Sequence, residues 1–470
     1  MRPVVFLALL ATVAGCNETG LRPDLGLENP DDTDGDGGNG GGGGNGKVEE
    51  CNGIDDDEDG EVDEGFPDTD GDGIADCIDD DCELEIALGR DVIVDPDCLA
   101  PDVTVTDPWN VNIEWQWTGI AGRSTVSNVI MTPVVGNLTD TDGDGDIDKD
   151  DTPDIAFVAF AGFSIGSGEL VVVPGDGGVE RWTRPNWNGG GGIAMADVNG
   201  DGLTDIVGFD TSRRPQAVSH DGTQLWTSTS AVTTSYPQAT VADLDGDGNP
   251  EVIADTLILD GATGAVKASL TISGSIPYRL PAVGDLNQDG RQEVIVGNTV
   301  FSSEGTALWS STVTGTYGHW AAILDTDGDP EAEVAMVGGG RLAIYDHDGT
   351  QKVNVTAGTG QPGAPCVADF DGDGDAEIAW GSSNQLNMYE LDGTRVWGAS
   401  VDDSSGLASC SGYDVDGDGI FEVLFADQNT FHIFDGATGS IRYSQGGTPA
   451  APCGSTRPSP TWTTTARPRS

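Results

Sequence analysis

The chain has 470 residues, 70 of them glycine, and its 80 Asp and Glu against 20 Lys and Arg leave a formal charge of −60. That balance excludes nucleic acid as a partner, because a phosphate backbone needs Lys and Arg to displace its counterions, and it excludes direct adhesion to an anionic membrane face. The length accommodates one large repeat domain with smaller pieces. The acids recur at fixed spacing beside apolar strands, so they read as organised rather than as a disordered charge block.

Residues 1–15 read as an export signal. Arg2 supplies the positive start, residues 4–13 the apolar run, and Val13-Ala14-Gly15-Cys16 its end. The run is too short to span a bilayer as a helix. The Val-Ala-Gly-Cys string resembles the bacterial lipoprotein box, which implies cleavage before Cys16 and lipidation of its thiol. Asn17 stands where the inner-membrane retention signal of such lipoproteins carries Asp. The expectation is therefore an outer-membrane lipoprotein facing the cell surface or the periplasm, touching membrane through its lipid only. Residues 16–50, with glycine throughout 40–44, form a flexible tether reaching roughly 30 Å.

Residues 51–98 make a small acidic module. Cys51 opens a string holding Asp55, Asp57, Asp59 and Asp63, and Asp68, Asp70, Asp72 and Asp76 follow at EF-hand-loop spacing. The first string resembles the short metal-binding motif of MopE-type bacterial surface proteins, departing from it at Glu58, where the motif usually carries a second cysteine. With too few apolar residues for a core, this module would lean on metal and disulfides to fold. Cys51, Cys77, Cys82 and Cys98 allow two bridges of undetermined pairing in an oxidising compartment. They lack the paired Cys-x-x-Cys knuckles of a zinc site. Cys366 and Cys410, similarly placed in adjacent repeats, make the expected third pair.

Residues 101–447 are repetitive, and this is the main signal. One nine-residue acidic string is written six times: Asp197, Asn199, Asp201, Asp205; Asp243, Asp245, Asp247, Glu251; Asp285, Asn287, Asp289, Glu293; Asp325, Asp327, Asp329, Glu333; Asp369, Asp371, Asp373, Glu377; and Asp414, Asp416, Asp418, Glu422. Successive copies start 46, 42, 40, 44 and 45 residues apart. An enlarged earlier copy, from Pro133 to Asp154, offers Asp140, Asp142, Asp144 and Asp151 and brings the number to seven. Each string is followed by an apolar strand, a second strand, an Asp-Gly turn as at Asp221-Gly222, a strand often bearing tryptophan (Trp182, Trp226, Trp309, Trp397), and a strand entering the next string from a proline (Pro237, Pro281, Pro365). Four short strands in 40–46 residues is the size of a propeller blade, and no stretch shows helical periodicity. The expected fold is an all-β propeller of seven or eight blades.

Oxygen ligands at positions one, three, five and nine, with a backbone carbonyl at seven, suit calcium, and the glycine permits the sharp turn. A single copy would read as a solvated Asp-Gly turn; seven copies retaining the acid at position nine do not. The nine-residue loop between two strands resembles the calcium hairpins of FG-GAP (VCBS-type) propellers, the family that includes the integrin α-subunit head. The resemblance implies several structural calcium ions.

Other motifs carry less. Gly162-Phe163-Ser164-Ile165-Gly166 matches a hydrolase elbow but joins two strands without the required helix. His220, His319, His347 and His432 lack zinc-ligand spacing and read as surface turn residues. The tryptophans, recurring at one strand position, read as packing between blades rather than sugar platforms. Asp107, Glu114, Tyr278 and Arg279 do not converge as a catalytic group. Residues 448–470 have no strand pattern and read as a disordered tail or as a shifted reading frame, since an eighth acidic loop is due near residue 461. The sequence thus predicts no enzyme but a calcium-stabilised binding or adhesion protein, with an extracellular protein or glycan as ligand. A polysaccharide-acting enzyme on a propeller, or a metal-scavenging surface protein, is the alternative.

Overall fold

The computed structural model describes residues 115–446, apart from 144, 149–150, 273–278, 314–318, 327, 358–360, 405 and 407. Cys16, the whole 51–98 module with its eight candidate acidic ligands and four cysteines, Asp107, Glu114, Asp144, Tyr278, Asp327 and the 448–470 segment lie outside the described residues.

The described residues form seven antiparallel sheets and no helix. Sheets 2 to 7 span residues 194–227, 239–269, 282–310, 320–356, 366–400 and 410–446, each with its four strands side by side in chain order. Sheet 1 (126–187) has five strands, because Val126–Asn128 and Val134–Gly136 share the edge of Asp154–Ala161 where the other sheets have a single first strand.

Burial explains the strand composition. In sheet 4 the two middle strands, Glu293–Val296 and Thr299–Phe301, are buried along their whole length, while the fourth, Ala307–Ser310, is largely exposed. A strand covered on both faces reads as a continuous Val, Ile and Ala run instead of alternating. The cover comes from the neighbouring sheets. One apolar cluster joins Val207, Phe209 and Trp226 of sheet 2 to Val252, Ala254 and Leu259 of sheet 3, and similar clusters join each later sheet to the next. The first strands of sheets 6 and 7 are also tied by a disulfide between Cys366 and Cys410, whose Cα atoms are 5.5 Å apart.

The tryptophans sit between sheets. Trp182, Trp226, Trp309 and Trp397 each donate their indole N–H to a carbonyl in the hairpin of the following sheet: His220 (3.1 Å), Gly261 (2.7 Å), His347 (2.7 Å) and Gly436 (2.6 Å). Each ring lies over a hairpin glycine. At Gly264, with φ +67°, an added Cβ would lie 2.4 Å from the Trp226 ring, so both the turn and the packing require glycine.

The histidines need correction. His220 and His347 do occupy hairpin turns, but His319 is buried (4% exposed), and burial pushes its imidazole pKa down. His432 lies in a strand of sheet 7, between Ser444 and Asp427. His319 packs beside Gly338 and Val313, a contact that the absence of a ligand spacing could not reveal. Gly162–Gly166 does form the turn between the strands Asp154–Ala161 and Gly168–Pro174, with Phe163 79% exposed.

Candidate metal centre

In sheets 2 to 7 the acidic string is the connection between the first and second strands, and the local fold follows from its own side chains. The carboxylate at position one accepts backbone N–H groups of the loop it opens. In the 243–251 loop, Asp243 takes those of Gly246 (2.9 Å), Asp247 (3.2 Å) and Gly248 (2.7 Å). Gly246 and Gly248 have φ of 70° and 81°, the left-handed backbone that winds the amides inward. The carboxylate at position five accepts the amide two residues on, as Asp201 does from Leu203 (3.0 Å) and Asp418 from Ile420 (2.9 Å).

Position nine is the first residue of the second strand, and it is buried in every sheet. One of its oxygens accepts the N–H of loop residue two: Val198 to Asp205 (3.1 Å), Leu244 to Glu251 (3.0 Å), Leu286 to Glu293 (3.0 Å), Thr326 to Glu333 (2.6 Å), Phe370 to Glu377 (2.7 Å) and Val415 to Glu422 (3.0 Å). The second oxygen points back into the loop. Asp205 Oδ1 and Glu377 Oε1 are buried there with no hydrogen-bond donor, as are Asp245 Oδ1 and Asp416 Oδ1 at position three. Asp243, Asp245 and Glu251 bring ligand oxygens within 4.8 Å of one another, as do Asp369, Asp371 and Glu377, and Asp414, Asp416 and Glu422.

Such an arrangement is unfavourable without a cation. Burial, with Asp201 and Asp197 adding their charge, pushes Asp205 up to about 7. Burial and the nearby Asp371, Glu390 and Asp369 push Glu377 up to about 8. Glu422 rises to about 7, chiefly by burial. Glu293, Asp371 and Asp416 are raised for the same reason. Donor-less, buried carboxylate oxygens grouped in a polar pocket fit a hard divalent cation such as calcium.

Four basic side chains that sequence reasoning passed over meet these acids. Lys267 contacts Glu251 (2.5 Å) and Asp245 (3.3 Å); Lys352 contacts Glu333 (2.7 Å); Arg442 contacts Asp416 (2.7 Å) and Glu422 (2.9 Å); and Arg181 contacts Asp154 (3.0 Å).

Sheet 1 is the irregular member. Asp140, Asp142 and Asp151 do lie within 4.8 Å of one another. Yet Asp151 accepts N–H groups of Thr141, Asp142 and Asp148 as a loop cap. The residue that opens the second strand here, opposite Gly136 as Asp205 is opposite Ala196, is Asp154.

Three segments of the chain, 197–254, 324–380 and 369–425, match the family profile of the FG-GAP-like repeat. Each of these segments is similar to the FG-GAP-like repeat. Each matched segment starts at position one of an acidic loop or one residue before it. No curated protein matches the chain. Among solved structures, the V. cholerae biofilm matrix protein Bap1 is similar over 71% of this chain and 83% of its own, at 19% identity and a TM-score of 0.60. The exotype rhamnogalacturonan lyase YesX is similar over 67% of this chain and 65% of its own, at 16% identity and a TM-score of 0.50. At these identities the likeness is one of fold alone, shared with a matrix protein and with a lyase.

Proposed function

We propose that the chain is a calcium-stabilised extracellular binding or adhesion protein, held to the outer membrane by lipid on Cys16, with its repeats arranged as a β-propeller. The observation that carries the binding reading is that the buried acids outside the loops are already engaged in holding the scaffold. Asp255 pairs with Arg279 (2.9 Å), Asp210 with Arg214 (2.8 Å) and Asp427 with His432 (3.2 Å), while Asp403 accepts the amides of Gly406 and Ala408. A polysaccharide-cleaving site would need acids and bases converging on open space. The acids of the loops converge instead on the place proposed for a cation.

The propeller reading is supported at the first sheet. Trp115 donates to Gly175 O (3.0 Å), and its ring lies over Gly177, the contacts that Trp182 makes on sheet 2 and Trp226 on sheet 3. Trp115 therefore stands where the fourth strand of one further sheet would stand. A sheet completed from two distant parts of the chain closes a ring.

The deciding experiment is binding of the full chain to a glycan array and to cells, with calcium and with chelator. Calcium-dependent binding without turnover supports the proposal. Release of unsaturated oligosaccharides from rhamnogalacturonan would establish the lyase reading in its place.

A further inference from the structure

The fourth strands of sheets 2 to 7 share a defect. Against the third strand the register slips by one residue at the same point: Leu259 faces Val266 but Ile258 faces Ala268, and Tyr389 faces Arg395 but Met388 faces Trp397. The slip recurs in all six sheets, leaving one unpaired residue each: Leu225, Lys267, Leu308, Lys352, Val396 and Arg442. A bulge re-aims the side chain it carries. Where that residue is basic, it reaches the position-nine carboxylate of its own sheet.

The bulge residue varies together with position three of the loop. Leu225 and Leu308 accompany Asn199 and Asn287, so those loops hold three carboxylates. Lys267, Lys352 and Arg442 accompany Asp245, Asp327 and Asp416, so four carboxylates at positions one, three, five and nine meet one base. Counted over positions one, three, five and nine with the bulge residue, either combination is three negative; position seven adds a base in Arg291 and an acid in Glu331 and Asp375. Sheet 6 alone departs from this, with Asp369, Asp371, Asp373 and Glu377 facing Val396. Among the described residues, no Lys or Arg pairs with Glu377, which is 1% exposed and whose Oε1 has no donor.

We propose that the 369–377 loop is the tightest calcium site of the chain and the first to fill, and that the bulge residue sets each loop's rank. The inference rests on the reading of the loops as calcium sites. One extra unit charge about 5 Å from a divalent ion, screened as in water, changes affinity about tenfold.

Calorimetric titration of the full, chelator-stripped chain with calcium alone tests this. One site is expected to bind about tenfold tighter than the rest. Val396→Lys should weaken that site about tenfold, to the level of the rest, Asp371→Asn should do the same without touching the bulge, and Lys267→Leu should create a second tight site. A tight site that persists in both Val396→Lys and Asp371→Asn, each folded by circular dichroism, overturns the ranking but leaves the calcium reading standing. No binding of calcium at millimolar concentration overturns both.

Discussion

Glu377 allows a quantitative test of what the loops need. Replacing it with glutamine keeps the acceptor for the Phe370 amide, which lies 2.7 Å away, and removes the charge. In the folded chain the carboxyl is raised from its ordinary 4.5 to about 8, so without metal its charged form opposes folding. The sign follows: the penalty is absent below about pH 4.5, grows as pH rises and is complete above about pH 8. At pH 7 the gap from 4.5, at about 1.4 kcal/mol per tenfold, comes to roughly 3 kcal/mol. In chelator at pH 7, Glu377→Gln should therefore be more stable than the parent by up to about 3 kcal/mol, with a flatter pH dependence. In millimolar calcium the order should invert, because the variant has lost a charged ligand. Thermal or denaturant melts at several pH values, with and without chelator, read both. A variant destabilised equally in the two conditions would refute the reasoning.

Three further outcomes follow from the same features. Chelation of the parent chain should lower its melting temperature by on the order of 10 °C, since sites binding at roughly 0.1–1 mM contribute about 0.4–1.4 kcal/mol each at millimolar calcium; an unchanged melt would contradict a structural role. Trp226→Ala should cost about 3–5 kcal/mol, because the ring is 7% exposed and its N–H to Gly261 is lost with it; denaturant unfolding measures this. Cys366→Ser together with Cys410→Ser should cost up to about 4 kcal/mol, the chain-entropy value for a 44-residue loop, and reduction of the parent should reproduce the loss.

The parts legible in the sequence were those set by local spacing. The nine-residue loop, the strand it feeds and the four-strand period are written within 40–46 residues, and the structure places Asp205, Glu251, Glu293, Glu333, Glu377 and Glu422 at one register position. The basic partners were not legible. Lys267 is 16 residues from Glu251, Lys352 is 19 from Glu333 and Arg442 is 20 from Glu422, and only the bulge between third and fourth strands brings each pair together. A sequence signal did exist, in the alternation of apolar and basic residues three places after each hairpin glycine, from Leu225 to Arg442. Sheet 1 carries two acids where the other sheets have one: Asp151, which groups with Asp140 and Asp142 as its spacing implied, and Asp154, three residues on, which opens the second strand. His319 misled because its burial comes from Gly338, 19 residues away, and Val313, on whose packing a single histidine carries no spacing signal.

Under the proposed tethering at Cys16, the bond between Cys366 and Cys410 has a mechanical meaning when the protein is gripped elsewhere. Tension passing along the chain crosses from the first strand of sheet 6 to the first strand of sheet 7 through the sulfur atoms, bypassing the 44 residues of separation between them. Roughly 150 Å of contour length is thereby withheld from extension. The withheld segment holds the 369–377 loop, so its carboxylates would keep their geometry under a pull that unravels other repeats.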